Sequence, residues 1–485
     1  MRDERDPNAN PWYVLMTLEG EQEGAFDEAL HARNVLAWTE LEYAPRRAGI
    51  SERWQGIGRF SDLARDNWGR LARHFELRKP SGTVKRPPAA TPIALNSLTF
   101  PNPLHLDGFS FGQPVSFKDC IFEGHVSMND CLFAGGLDLS GAVFRKGLSF
   151  KGSGCIGALN ARRLVGAGPL SFSKSRFGAT VTMTHLEWTA CVGRISFNST
   201  VFEGFAHLSD AQFPAFTVFE NATFQGRTMF SRTVFEKGAS FRGVVFEDYS
   251  YFQGSRFCAT AGTQYDHINF TESRFERPPT FRRATFEGEF PNFAGAILHE
   301  RSDFTGEDDQ WPLPATLAAR DTKASATSAS VAIESAATLR ALMSRQGLPE
   351  EEHFFFRREM DMRAHSEPFK RSALISVYGA ISQYGGSIKR PLYWLAGLIA
   401  VFAVFYAAHF DYADRDMSGM AALSKGVGLS FTSTVNLFGF QRLYFGELLS
   451  EAGPRLKVAT ALQTLLGYVF LFFLGLGLRQ RFRLR

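Results

Sequence analysis

The stretch Phe197–Phe257, FNSTVFEGFAHLSDAQFPAFTVFENATFQGRTMFSRTVFEKGASFRGVVFEDYSYFQGSRF, decides the fold. Its large apolar anchors fall at Phe197, Phe202, Leu208, Phe213, Phe219 and Phe224, and so on to Phe257, with steps alternating between five and six. Such a step fits neither a helix period of 3.6 nor a strand period of 2. It fits one short side of a four-sided coil, with one inward anchor per side and about 22 residues per turn.

Working outward, the same beat runs from Leu95 through Phe100, Phe111 and Phe122 to Phe150. Cys155, Ala161 and Gly166 then keep the phase with smaller side chains. It slips between Trp188 and Phe197 and between Phe257 and Phe270, resumes at Phe275, and fades after Phe293 and Ile297. The block 93–298 is therefore one repeat domain, and it explains most of the chain's 48 Phe. Small residues two places before an anchor, such as Cys120 and Cys131, are expected to point inward as small hydrophobes. Glycines two places after an anchor, such as Gly124 and Gly135, are expected at the tight corners. The GxGxxG match at Gly152–Gly157 is in phase with the coils and has no helix pattern after it, so it reads as structure and not as a dinucleotide site.

The texture Phe202-Glu-Gly, Phe224-Gln-Gly, Ala239-Ser-Phe241 and Phe252-Gln-Gly resembles the Phe-rich variant of the pentapeptide-repeat proteins. The resemblance implies a mainly β fold, a right-handed quadrilateral β-solenoid. About nine coils at a strand spacing of ~4.8 Å would give a rod of roughly 43 Å. Some such rods inhibit gyrase by mimicking DNA, which requires a strongly acidic surface. Here Arg162, Arg163, Arg242, Arg282 and Arg283 offset Glu203, Glu247 and Glu287, so this is the weaker reading. A protein partner on the solenoid stays open, and no nucleic-acid partner is expected.

Composition narrows the function. With 45% hydrophobic and 21% charged residues the chain is not disordered, and 5 Cys without a CxxC or CxxH pair make neither a disulfide scaffold nor a metal site. The 11 His give no HExxH, and no P-loop is present. No catalytic residue, cofactor or metal is expected, and the chain reads as a non-enzyme. Residues 1–92 read as an α-rich N-terminal cap over the first coil. Within it Asn10–Gly20 is expected as a short strand, and Phe26–Tyr43 and Ile57–Phe75 as helices. Residues 299–330 read as a mobile linker, and 331–388 as an αα-hairpin with a pre-membrane segment.

Residues 389–485 form a C-terminal α-helical membrane module. Pro391–Phe410 and Val458–Leu478 carry no formal charge, and each reaches the roughly 20 residues that cross a bilayer. Lys370, Arg371, Lys389 and Arg390 precede the first run, and Arg479, Arg481, Arg483 and Arg485 follow the second. The positive-inside rule places both flanks, and so both termini, in the cytoplasm. The charged run Arg2–Asp6 after Met1 agrees, since it is no secretory signal. Met417–Phe440, largely apolar but punctuated by Gly, is expected as a short re-entrant helix followed by extended backbone.

Span, re-entrant loop, span resembles the two-helix, potassium-channel-like pore module, which is joined to pentapeptide repeats in some bacterial membrane proteins. The residues that carry the likeness are Arg390-Pro-Leu-Tyr-Trp394, Ser430-Phe-Thr-Ser-Thr434-Val-Asn-Leu-Phe-Gly439-Phe and Leu462-Gln-Thr-Leu-Leu-Gly467-Tyr. The likeness implies a filter at Thr434, Val435, Asn436, Leu437, Phe438 and Gly439, and a gating glycine at Gly467. Leu437 stands where the family filter has Gly, and Phe440 where it has an acid. The expectation is a protein of the bacterial inner (plasma) membrane in contact with the lipid bilayer. It would be a homo-oligomer, a tetramer if the pore works. The other reading is a membrane-anchored protein-interaction scaffold with no pore.

Overall fold

The computed structural model describes residues 5–22, 24–41, 43–60, 68–78, 85–88, 90–190, 193–259, 267–307, 309–312, 323–366, 368–413, 418–436 and 439–483. They form two compact units, Met1–Gln346 and Gly347–Arg485. Leu437 and Phe438 lie outside the described residues, as do 61–67 in the second N-terminal helix pattern and 313–322 in the expected linker.

In the first unit the Phe beat winds into a parallel β-solenoid of four sheets, three with eight strands and one with nine. Most strands are two residues long, because each side of the coil has room for one inward anchor and one outward residue. Each strand pairs with its counterpart one full turn later, as in Val201↔Thr223 and Phe202↔Phe224. The two slips in the beat are insertions, which lengthen the turns that bring Leu170 to Ile195 and Ala239 to Ile268. Eight strands make seven steps, about 34 Å of strand ladder, and the isolated parallel bridges Tyr251↔Thr280 and Thr280↔Asp303 carry one sheet further. The anchors are buried and stack coil on coil. Phe202 and Phe224 lie 4.6 Å apart with an interplanar angle of 1°, and Phe219 and Phe241 lie 4.9 Å apart. Cys120, Cys131 and Cys155 are buried free thiols. Burial pushes Cys120 and Cys155 up to about 12, which suits small hydrophobes and not nucleophiles.

The corners match expectation only in part: Gly243, Gly254 and Gly288 take the left-handed backbone expected of a corner glycine, with φ 64°, 66° and 80°. The left-handed backbone recurs once every two sides of the coil, at Asp119, Asp130, Gly141, Gly152, Arg163 and Lys174, each with φ between 52° and 69°. Several of these corners are therefore not glycine. Gly135 serves close approach instead, since a Cβ there would sit 2.3 Å from the Pro114 nitrogen of the preceding coil. The glycine keeps adjacent coils at hydrogen-bonding distance.

The N-terminal segment covers the first coil with helix α1 (Pro11–Met16) and α2 (Glu28–Glu40). Where a strand was expected α1 forms, because Asn10 accepts from the Trp12 N–H and Pro11 fills the first helical position. The indole of Trp38 donates to the Ser110 carbonyl at 2.8 Å. The segment also runs along one face of the rod: Trp54 and Phe60 pack on Leu132, and Trp54 fills the space left by Gly154 and Gly178. Helix α3 (Trp68–Arg78) completes it.

The rod does not stop at Ile297. Phe304 stacks on Phe281 at 4.7 Å, and Trp311 lies 4.8 Å from Phe286, so the first part of the expected linker is one more layer of core. The polar residues between these anchors hid the beat. Helix α4 (Lys323–Gln346) closes this end, with Ser335 Oγ accepting from the Phe293 N–H and Gln346 donating to the Ser302 carbonyl. The second unit begins after it, so the two helices of the expected hairpin fall in different units.

The second unit contains α5 (Pro349–Ser366), α6 (Phe369–Ser382), α7 (Lys389–Ala413), α8 (Gly419–Thr434), α9 (Phe440–Glu451) and α10 (Pro454–Arg483). Two helical stretches, Lys389–Phe410 and Pro454–Phe482, are long and apolar enough to cross a membrane, by length and composition. They pack antiparallel: Leu395 and Leu398 meet Phe470 at one end, and Tyr406 and Phe410 share a cluster with Leu456 at the other. His353 on α5 is held near the end of α10, 2.8 Å from the Gln480 amide. Burial first, then the nearby Arg357, lowers its pKa to about 4. A depressed histidine stabilises the fold above its unfolded pKa near 6.5 and loses that contribution as pH falls toward 4. Between pH 7 and 5 the protein should lose about 1–2 kcal/mol, discounted for the water that still reaches the ring. Unfolding midpoints at the two pH values should converge in His353→Gln.

Candidate functional site

The site is built where α8 ends. This helix of 16 residues starts beside the Phe410–Leu456 cluster through Ala422 and runs back along α7. It lies close because Gly426 has no side chain: a Cβ there would meet the Ala403 carbonyl at 2.6 Å. Farther along, Ser430 Oγ donates to the Ile399 carbonyl at 2.8 Å. At the end of α8, Gly467 of α10 touches Thr434, where a Cβ would lie 2.6 Å from the Thr434 carbonyl oxygen. At 1.5 Å per residue, Gly467 is about 20 Å along α10 from Pro454. Helix α9 runs back, so that Leu448 and Leu449 pack on the cluster where α8 began. The excursion enters between the two long helices, reaches their middle and comes back. Its return limb is helical, because Gly439 takes φ 71° at the N-cap of α9 and restarts a helix; the stretch expected to be extended lies before it and falls partly outside the described residues.

Gln463 is fully buried at the centre. Its amide nitrogen lies 2.7 Å from Ser430 Oγ, 2.8 Å from Thr434 Oγ1 and 2.9 Å from the Ser430 carbonyl. Its amide oxygen accepts from the Tyr406 hydroxyl at 2.8 Å. One side chain of α10 therefore ties together α7 and α8, and Gln463 uses both ends of its amide. Buried polar groups in an apolar bundle are tolerated when paired in this way.

A second polar group surrounds the junction of α8 and α9. Gln441 donates to Ser433 Oγ at 3.0 Å and accepts from the Asn436 amide at 3.1 Å. The Tyr468 hydroxyl donates to the Asn436 carbonyl at 3.2 Å. No described donor reaches Asn436 Oδ1. Gln441, Leu449, Lys457, Thr464 and Tyr468 line an open groove of about 530 Å³. Lys457, Thr464 and Tyr468 stand at i, i+7 and i+11, so they share one face of α10, distinct from the face of Gln463 and Gly467. Val458, Leu462, Leu465 and Val469 form a third, wholly apolar face.

Of the expected filter, Thr434 is buried inside the protomer and bonded to Gln463, while Val435 and Asn436 sit just past the end of α8 and Gly439 is exposed. Gly467 is brought against Thr434, so what it provides is close approach in an unbroken α10. Sequence reasoning gives no role of their own to Ser430 and Gln441, and it suits Tyr406, with Tyr393 and Trp394, to an interface anchor, whereas Tyr406 is fully buried and bonded to Gln463. The available signal was spacing: Ser430 and Thr434, and Gln463 and Gly467, are i, i+4 pairs on the faces that meet.

The first unit supplies the comparison with known proteins. Its coils pair in parallel, turn upon turn, and residues 106–154 and 197–245 match the family described as pentapeptide repeats (9 copies). The rod is a pentapeptide-repeat solenoid. Neither a curated protein nor a solved structure matches the chain. The outer charges of the pentapeptide-repeat rod pair across coils, as in Arg145–Glu123 at 3.0 Å and Arg232–Asp210 at 2.6 Å. A pentapeptide-repeat surface paired like this carries no large field of one sign.

Proposed function

We propose that the protein is tethered to the bacterial inner membrane by α7 and α10, with both termini cytoplasmic, and that its second unit assembles as a homotetramer around a water-filled, ion-conducting pore. The pentapeptide-repeat rod is then a cytoplasmic scaffold attached to that pore. The reading includes no catalysis and no cofactor.

One observation carries it. Helix α8 ends at Thr434, at the level of Gly467 midway along α10, with Val435 outside helical angles, and Gly439 and Phe440, where α9 starts, are exposed on the protomer. Non-helical backbone at membrane depth is sustained only where protein covers it or water fills a cavity beside it. A single-protomer anchor would leave this junction, with Asn436 and Gln441, facing lipid tails. Surrounding copies would enclose it, with Asn436, Gly439, Gln441, Thr464 and Tyr468 lining the axis. Oxygens from Asn436, Thr464 and Tyr468 are suited to replace part of a cation's water shell.

The anchored scaffold without a pore keeps one observation in its favour. Thr434, the first residue of the expected filter, spends its hydroxyl on Gln463 and Ser430 inside the protomer. The mass of the detergent-solubilised full chain separates the two. A mass near 216 kDa, about four times the 54.0 kDa chain, agrees with the pore, and a monomer removes it.

A further inference from the structure

We propose that α6 is an interfacial helix that lies at the headgroup level and gathers anionic glycerophospholipids of the bilayer. The inference rests on the membrane reading above and adds a specific lipid partner to it.

The position of α6 follows from its ties to the two long helices. The Trp394 indole, on the first turns of α7, donates to the Ala380 carbonyl near the end of α6 at 3.3 Å. Arg390 donates to the Gly379 carbonyl at 3.0 Å, and Tyr378 lies 5.5 Å from Phe473 of α10. Tyr393 and Trp394 are both exposed. Exposed Trp and Tyr at the end of an apolar span mark the boundary between headgroups and acyl chains. The last turns of α6 are hydrogen-bonded to that mark, which fixes the depth of the helix.

On this helix Lys370, Leu374, Val377 and Ile381 recur at i, i+4, i+7 and i+11, one stripe of the surface. Leu374 is 75% exposed and Val377 is 55% exposed. Apolar side chains this open, on a helix fixed at the boundary, have acyl chains as their natural cover. The charge around them is one-sided. Lys370 and Arg371 on α6, Lys389 and Arg390 on α7, and Arg479 and Arg481 on α10 are all exposed. No Asp or Glu occurs from Pro368 to Phe410, or from Pro454 to the last residue. The carboxylates packed nearby, Glu359 and Asp361, belong to α5, and Glu359 is engaged by Arg363 at 2.7 Å. Six cations at one end of a membrane bundle, beside open apolar residues, fit lipid phosphates with their tails attached. A soluble anion would use the charge but leave Leu374 and Val377 uncovered.

The test uses the full chain with Cys191 and Cys258 replaced by serine, a spin label on Leu374→Cys, and reconstitution into phosphatidylcholine vesicles with one-quarter phosphatidylglycerol. Carbonate washing first establishes integration; a protein released by carbonate overturns the membrane reading itself. In the integrated protein the label should be open to oxygen and shielded from a water-soluble nickel relaxant, at a depth of about 5–10 Å. A label as open to nickel as one on the rod surface overturns the inference while the tether stands. Co-purified phosphatidylglycerol, counted against phosphatidylcholine, should fall about fivefold for each of Lys370→Gln and Arg371→Gln. An unchanged ratio in the double variant overturns the charge recognition. Inorganic phosphate at millimolar concentration should not compete; competition would assign the cations to a soluble anion.

Discussion

Replacing Phe241 by alanine is expected to destabilise the pentapeptide-repeat rod by about 4 kcal/mol. Phe241 is fully buried. It stacks on Phe219 and Phe270, each at 4.9 Å, and meets Phe230 and Phe252 edge-on at 5.6 Å. Truncation removes ring contacts that span three consecutive coils, and the coils on either side are held by their own backbone ladders and cannot collapse into the gap. A solenoid is stabilised by nearest neighbours, so the damage should be local. Amide exchange should accelerate most between Phe219 and Phe270 and little at Phe100. A uniform acceleration along the whole rod would contradict the one-dimensional account. Tyr249, exposed on the same rod, provides the control, since Tyr249→Ala should stay within about 0.5 kcal/mol.

The second large effect belongs to Gly467. Even alanine there would place its Cβ 2.6 Å from the Thr434 carbonyl oxygen, and backbone cannot swing aside as a side chain can. Gly467→Leu should push α8 off α10 and part Gln463 from Ser430 and Thr434. The expected cost is about 3 kcal/mol or more, from overpacking together with buried polar groups left unpaired. Gly475, on the same helix, has no atom within 4 Å of its would-be Cβ, so Gly475→Ala should be neutral. Thermal unfolding of the solubilised chain reads both. Equal midpoints for the two variants would mean that α8 and α10 do not pack as described. Gly439→Val is a subtler change. Its Cβ meets nothing, and only the backbone angle of 71° opposes it, so the start of α9 should distort while the bundle holds.

The sequence was most legible where one demand is repeated. A five-and-six beat leaves no alternative for an anchor such as Phe224, and the coil length follows from counting. It was least legible where the demand occurs once. Asn10 and Pro11 make a helix start out of an apolar run that reads equally well as a strand. Phe304 and Trp311 extend the core, but the polar residues around them break the count. Gly467 shows the limit most clearly. A glycine in an apolar helix suggests a bend, whereas its neighbour across the bundle, Thr434, lies on a different helix and makes it a point of close packing. The glycines expected at corners divide: Gly243 and Gly254 take the left-handed backbone, whereas Gly135 is explained by Pro114 one coil earlier and not by its own turn.

If copies of the second unit enclose the junction of α8 and α9, the assembly should conduct ions. The direct measurement is single-channel recording of the purified full chain in planar bilayers with potassium or sodium salts. Discrete steps are expected in at least one cation, lost in Gly467→Leu and changed in amplitude in Asn436→Asp, just past the end of α8. A silent bilayer under every ionic condition, with integrated protein present, would contradict the pore and leave a membrane-anchored pentapeptide-repeat scaffold.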